Sequence, residues 1–449
     1  MADIGIRRMA AVEWIRKQWD DRRMRFLVFA AALLAVSLPL NYLMLRLTGW
    51  SAWWPTYRWL LGNAGESGDS WHVMAIALDW IRNNPDGGLY EAIFFEGQNK
   101  FQYAPTSLLP LAAFEALGIE PTVGFLNGVN RLFILVTAAA VSGLVHVLLG
   151  RTEFRMSPLQ RVLAAGMSGA AVLVFYPVMM AYNLGQLQVW INMLFVLACL
   201  AWAMDRRASA GVAIGLICLL KPQFGLFLIW GLLRKEWRFV FPLCIVGAGG
   251  LLISIGLFGF MNHLEYISVL QFLSRHGESY WANQSMNGLL HRLAGNGVSD
   301  WEAGGFPPYS LIVYAGSMIA TVAILVLALR VRRGERAMAS LFDFMLAALA
   351  FTAASPIAWE HHYGVMAPMF AALFVMALTN WRQNPSQRPL LIAFVVCYLF
   401  AANSFGFTRA LDGAPLNIAQ SYLYFSALGV LVLLRRLASD PSASQISKP

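Results

Sequence analysis

A glutamate and two adjacent histidines, Glu360, His361 and His362, stand in the stretch SPIAWEHHYG (355–364) between two long apolar runs. Other polar residues interrupt apolar sequence in the same manner. Asp69 and His72 open GDSWHVMAIALDWIRNN, Tyr103 lies in FQYAPT, and Asn183 and Gln186 lie in YNLGQLQ. Lys221 and Gln223 flank a proline in LLKPQF, while Asn283, Gln284 and Arg292 belong to WANQSMNGLLHR. Ionisable groups within or at the edge of a bilayer are costly, so they tend to line an aqueous cavity or a substrate path. A lysine near the centre of an apolar stretch, beside a helix start, is a ready anion site. Snorkelling to the interface is the plainer reading of Lys221, and its central position argues against it. Arg292 fits an anion site or an ordinary surface charge. The amides of Asn183, Gln186, Gln223, Asn283 and Gln284 suit sugar hydroxyls, though each alone could be an interhelical hydrogen bond. Tyr103 could stack in the same cleft or belong to an interfacial belt. Asp69, just before an apolar-periodic run, also reads as a helix cap. Asp79 and Glu66 read as solvated loop charges. The histidine pair could simply anchor the end of a span. Its members are not the i, i+4 pair that binds zinc well and no third ligand is evident, so no metal is expected.

The composition says where such residues must sit. Of 449 residues, 58% are hydrophobic and 13% charged, with a mean hydropathy of +0.58, whereas a soluble domain carries about 25% charged residues. Apolar runs near the ~20 residues needed to cross a bilayer recur along the chain. The fold class is therefore an all-α polytopic membrane protein. The net charge of +9 is gathered before the first span and at Arg206–Arg207, Arg234–Lys235, Arg330–Arg336 and Arg435–Arg436. This is the pattern of cytoplasmic loops and not that of a nucleic-acid binder. Residues 48–105, with six acids against three bases, and residues 261–306 should face outward, and both termini inward. Phe26 to Leu47 lacks a cleavage site and should remain as a span. Cys199, Cys218, Cys244 and Cys397 are scattered through apolar runs and suggest neither disulfides nor a metal cluster.

Between these landmarks, WSAWWPTYRW suits the membrane interface. GESGDSWHVMAIALDWIRNN (65–84) reads as an amphipathic helix on the outer surface through Val73, Ile76, Ala77, Trp80 and Ile81, ended by NPDGG. Spans are expected near 124–149, 160–181, 186–204, 238–260, 307–329, 338–354, 361–379, 388–404 and 417–434. The stretch 209–233 should be two short helices meeting at Lys221-Pro222-Gln223, which keeps both flanking basic seams on one side. With 106–118 re-entrant, about twelve spans (11–13) result. They form one integral-membrane domain over 1–436, followed by a disordered cytoplasmic tail at 437–449. The polar seams then share one outward cleft over an apolar bundle, which suits a substrate with a polar head and a lipid tail.

The order Asp69, Tyr90, FQYAP, NLGQ, LLKPQ, NQSMNGLLHR and SPIAWEHH resembles glycosyltransferase family 87, from about residue 69 to 362. One departure is YAP where the family commonly has YPP, which touches no chemical group. The resemblance implies a GT-C fold in the bacterial inner (plasma) membrane, with the active site on the periplasmic face. It implies inverting transfer of a sugar, mannose first, from a polyprenyl-phosphate donor to a lipid or glycan acceptor. Asp69 would take the acceptor proton, and His361 and His362 would sit beside the leaving phosphate. Lys221 and Arg292 would hold that phosphate. His72, Tyr103, Asn183, Gln186, Gln223, Asn283, Gln284 and Glu360 would bind sugar and acceptor, Glu360 orienting a histidine. No cofactor is implied, because the lipid-linked sugar phosphate is itself the donor. A Gly-rich phosphate fingerprint for a nucleotide sugar is not found. A lipid or polysaccharide transporter would also use an outward cleft, but should have inverted repeats and a polar path to both faces. A ligase moving a whole glycan would differ only in donor size.

Overall fold

The computed structural model of the chain describes residues 54–61, 67–85, 87–152, 156–299, 305–330, 337–381 and 387–439, with scattered residues between 13 and 43. The expected first span and the tail 437–449 lie largely outside these residues, as does Glu66. Within them the protein is all-helical, with one isolated bridge between Asn283 and Trp359. The first helices are α1 (Trp54–Leu61), α2 (Asp69–Asn83) and α3 (Leu109–Ala116). There follow α4 (Val123–Gly150), α5 (Pro158–Val172), α6 (Tyr176–Asn183), α7 (Gln188–Ala203), α8 (Arg207–Leu220), α9 (Leu226–Arg234) and α10 (Trp237–Phe258). Next come α11 (Phe260–His276), α12 (Met286–Leu293), α13 (Leu311–Leu329), α14 (Ala337–Ala353), α15 (Ala367–Met376), α16 (Arg388–Ala402) and α17 (Tyr422–Leu437).

Five helical segments among the described residues are long and apolar enough to cross a membrane: Val123–Gly150, Trp237–Phe258, Leu311–Leu329, Glu360–Thr379 and Leu416–Ser439. The bent pair α5 and α6 makes a sixth if counted as one span. The protein is thus a polytopic membrane protein, but the count of twelve is not reached by length and composition. Helices α7, α8, α14 and α16 are apolar but shorter. Burial separates the segments by position. Only 17% of the apolar window of α10 is buried inside the protein, against 89% for Glu360–Thr379. Helix α10 therefore presents its side chains to lipid, while 360–379 runs through the middle of the bundle, continuing directly from the two histidines.

Two elements differ from expectation, and a third, 106–118, does not span. The single span expected over 160–181 is bent by 43° between α5 and α6, because Pro177 has no N–H to continue a helix and clashes with the preceding turn. The α2 stripe is turned from the expected one: Ser70, Trp71, Met74, Ala77, Leu78 and Ile81 are buried, and Ile76 faces out. The polar Ser70 holds its place in that stripe through hydrogen bonds described below. Residues 106–118 form a short 3-10 turn (Pro105–Leu108) and the eight-residue α3, about 12 Å of helix and too short to cross.

The break at Lys221 lies where α8 ends and a 3-10 turn, Pro222–Gly225, begins. Pro222 ends the α8 ladder, and α9 then leads back. Gly211 touches the Phe239 backbone, and Gly231 meets Val240 and the Phe239 ring, so the far ends of α8 and α9 both lie beside the start of α10. Arg207 sits over Trp202 at 3.7 Å, Trp202 meets Trp230 at 5.4 Å, and Arg234 sits over Trp230 at 4.7 Å. The two basic seams therefore meet at one end of the bundle, and Lys221 lies about 21 Å along α8 from it.

Candidate active site

Gly185 explains how Asp69 is placed. Its φ of +67° lies in the left-handed region, and a Cβ there would come within 1.9 Å of the Ser67 carbonyl oxygen. Only glycine lets this turn close on the start of α2. There the Asp69 N–H donates to the Leu184 carbonyl at 2.9 Å, and the Ser70 N–H to the Gly185 carbonyl at 3.3 Å. The N-cap is Gly68, and no side chain caps the helix, so the Asp69 carboxylate is left for other partners. Gln186 Nε2 donates to it. Ser70 Oγ donates to Gln186 Oε1 at 2.7 Å, and the Tyr103 hydroxyl donates to the same oxygen at 3.2 Å. Both donors fix which end of the Gln186 amide faces Asp69.

A cavity of about 880 Å³ opens beside this cluster, and a smaller one of about 330 Å³ adjoins it. Asp69 and Trp359 stand in the walls of both. The larger one brings together Asp69, Tyr103, Gln186, Lys221, Gln223 and His362, and its remaining wall is largely apolar, including Leu226, Leu270, Leu325 and Phe351. Lys221 Nζ donates to Gln188 Oε1 at 3.2 Å. The approach of Lys221 to Tyr103 is fixed by Thr106, whose Oγ1 donates to the Leu219 carbonyl at 2.6 Å, and by the Tyr90 hydroxyl, which donates to the Tyr103 carbonyl at 2.6 Å. Gln223 reaches the Phe351 carbonyl at 3.3 Å. The smaller cavity is lined by Tyr280, Trp281, Trp359, Glu360 and His361. His361 Nε2 is buried there with no hydrogen-bond partner.

Burial pushes the Asp69 carboxyl above its ordinary value; the hydrogen bond from Gln186 opposes this, and the charge of Glu278 adds to it. The carboxylate still reaches the solvent of the cavities although protein atoms crowd it on most sides. Burial likewise raises the Tyr103 phenol, and the Asp69 charge adds to that, so Tyr103 remains a hydrogen-bond donor.

Other expected residues lie elsewhere. Asn283 uses its amide on Glu278 O (2.8 Å) and Pro356 O (3.1 Å) and accepts from Ala358 N (3.0 Å). Gln284 donates to Trp281 O (2.9 Å) and Gln420 O (2.7 Å) and accepts from Tyr424 N (3.3 Å). Arg292 donates to the carbonyls of Tyr280 (3.0 Å) and Asn283 (3.1 Å) and to Ser421 Oγ (2.6 Å). All three are buried and lie in neither cavity wall. Their polar atoms go to the protein's own groups: Asn283 ties this stretch to Pro356 and Ala358, while Gln284 and Arg292 tie it to residues 420–424. Asn183 accepts from Arg58 at 2.8 Å, and His72 is an exposed residue of α2; neither lines the cavities. Glu360 does not orient a histidine: it accepts from the Tyr176 and Tyr422 hydroxyls, each at 2.9 Å. His362 Nδ1 instead accepts from the Trp359 N–H at 3.2 Å.

The sequence reading missed four residues. Gln188 pairs with Lys221 and stood two places past Gln186. Lys100 and Glu278 form a 3.2 Å ion pair, and Glu278 accepts from Trp359 Nε1 at 2.5 Å. Lys100 lies in the cavity wall. Ser70 was hidden inside the amphipathic pattern.

A carboxylate with a raised pKa, a lysine and several amides thus surround a cavity with a largely apolar wall, on a bundle of membrane-crossing helices. Residues 101–356 match glycosyltransferase family 87, and the chain belongs to that family. A relative from Mycolicibacterium smegmatis (strain ATCC 700084 / mc(2)155), a polyprenol-phosphate-mannose-dependent alpha-(1-2)-phosphatidylinositol mannoside mannosyltransferase, is 26% identical over 294 residues. The match covers 62% of this chain and 62% of the relative.

Proposed function

We propose that the protein is an inverting GT-C enzyme that moves mannose from a polyprenyl phosphate to a hydroxyl of a lipid or glycan acceptor. The position of Asp69 in the wall shared by two cavities carries this reading. One cavity holds Lys221 and a largely apolar wall suited to a phosphate on a prenyl chain; the other is aromatic-lined and suited to a sugar ring. The acceptor oxygen attacks C1 of the donor sugar while Asp69 takes its proton. The bond from C1 to the phosphate oxygen breaks with its electron pair on the phosphate, where Lys221 and His362 offer charge and hydrogen bonds. Inversion follows from attack and departure on opposite sides of C1. The relative's donor, named as polyprenol-phosphate-mannose, supports the choice of donor. The outward face of the bacterial inner membrane is the expected side, with both termini cytoplasmic.

The test uses purified protein in detergent with a lipid extract and labelled mannose on either polyprenyl phosphate or a nucleotide. Label should pass to a new lipid or glycan from the prenyl donor alone. Transfer from the nucleotide sugar, or from neither donor with any acceptor fraction, would contradict the reading.

A further inference from the structure

The opposite end of the bundle holds a second polar feature that the transfer reaction does not use. Where α8 and α10 begin, a pocket of about 510 Å³ is lined by Arg206, Arg207 and Arg238 together with Trp237, Phe241 and Ser209. Arg207 Nη1 is buried with no hydrogen-bond partner. Arg206 and Arg238 are exposed and make no side-chain ion pair among the described residues. Asp205 is the acid in this wall, and it already accepts from Arg207 Nε at 3.1 Å. Glu236, outside the wall, also acts on Arg207 by its charge. Three guanidinium groups thus stand against two carboxylates and keep a net positive charge, the arrangement that recognises a phosphate.

What lies beyond the pocket says what carries that phosphate. Helices α8 and α10 run side by side in the same direction: Gly211 meets Phe239, Gly215 meets Val246, and Leu219 meets Gly250. Val212 and Leu216 on α8, and Phe241 and Ile245 on α10, follow the pocket at helical spacing and are exposed. Leu216 and Leu219 then enter a largely apolar hollow of about 930 Å³ whose wall also takes in Val246 and Gly250, with the Arg82–Glu115 ion pair in the same wall. From Arg207 to Leu219 the groove runs about 18 Å, roughly the hydrocarbon depth of one leaflet. Soluble phosphate would have no use for this track. We propose that the pocket and seam bind an anionic glycerophospholipid, its phosphate between Arg206, Arg207 and Arg238 and its acyl chains along the α8–α10 seam, in the leaflet opposite the catalytic cavity. This lipid braces the foot of the broken pair whose tip carries Lys221. Basic pockets between helices bind anionic headgroups in this way.

The experiment measures thermal unfolding of the full chain in detergent while titrating phosphatidylglycerol, phosphatidylcholine of matched chains, or glycerol phosphate. Wild type and Arg388→Gln, an exposed charge elsewhere, should be protected by phosphatidylglycerol and not by the other two. In the double variant Arg206→Gln/Arg238→Gln the apparent affinity for phosphatidylglycerol should fall about tenfold or more. Arg207 is left in place because it also packs on Trp202. Equal protection by phosphatidylcholine, undiminished selectivity in the double variant, or equal protection by glycerol phosphate would each overturn the proposal. The readout needs no turnover, so its failure leaves the donor reading untouched, and the reverse holds too.

Discussion

Gln186 is the residue through which Asp69 feels its surroundings, so it is where the acid–base proposal can be tuned without removing the base. Burial raises the Asp69 pKa and the Gln186 hydrogen bond lowers it. A general base works when deprotonated, so activity should rise with pH through the raised Asp69 value, above the ordinary carboxylate value of about 3.9. Gln186→Met removes the lowering contribution. The acid limb of its kcat/KM profile should therefore move to higher pH, which a pH series on both proteins would reveal; an unmoved limb would detach Asp69 from that ionisation. At this scale the sequence was legible where a polar residue interrupts an apolar run at a chain break. Asp69, Tyr103, Gln186, Lys221, Gln223 and His362 all meet on one cavity. It was not legible for Asn283, Gln284 and Arg292. Buried backbone carbonyls recruit the same amides and guanidinium groups that a sugar phosphate would, and only the partners tell the two uses apart. Ser70, Gln188, Lys100 and Glu278 gave no spacing signal, because their importance comes from contacts distant in sequence.

The turn at Gly185 and the 355–362 segment are the elements that hold the chemistry in register. Gly185→Ala would put a methyl group against the Ser67 carbonyl at a positive φ, displacing the start of α2 and Asp69 with it. A loss of at least tenfold in kcat is expected, since a misplacement near 1 Å is costly in catalysis. Gly128→Ala, where a Cβ meets nothing within 4 Å, should be neutral or slightly stabilising. Equal activities of the two would dissociate the turn from Asp69. Asn283→Ala removes three buried hydrogen bonds and leaves their partners unsatisfied, a cost of about 1–3 kcal/mol for each group so stranded. Its signature should be a lowered melting temperature with the donor KM little changed in the protein that remains folded. A raised KM at unchanged melting temperature would return Asn283 to the binding site. The break at Lys221-Pro222-Gln223 was legible because a single helix there would have split the basic seams. The bend at Pro177 was not anticipated, since its neighbours are uniformly apolar and hydropathy alone reads through it.

Over the whole molecule, the polar cavities and the basic seams occupy opposite ends, with Lys221 near one and Arg207 and Arg234 together at the other. The charge pattern predicts that the basic end faces the cytoplasm. Single cysteines introduced at Gln98, in the cavity wall, and at the exposed Lys235 should therefore react with a membrane-impermeant maleimide from opposite sides. Intact cells should label Gln98→Cys alone, and lysed cells both; labelling of Lys235→Cys in intact cells would invert the topology. Composition made the membrane class plain, but not the number of crossings. Several apolar helices among the described residues are shorter than a bilayer needs, and hydropathy alone does not mark where they stop.

The central claim is that Asp69 is the base for sugar transfer. The measurement that tests it most directly compares wild type, Asp69→Asn and Asp69→Glu for label transfer from polyprenyl-phosphate-mannose, with donor binding followed in parallel. The account predicts that Asp69→Asn binds donor yet loses about 10²–10⁴-fold in kcat, the usual contribution of a general base, while Asp69→Glu keeps a measurable part. Transfer by Asp69→Asn at the wild-type rate would contradict it.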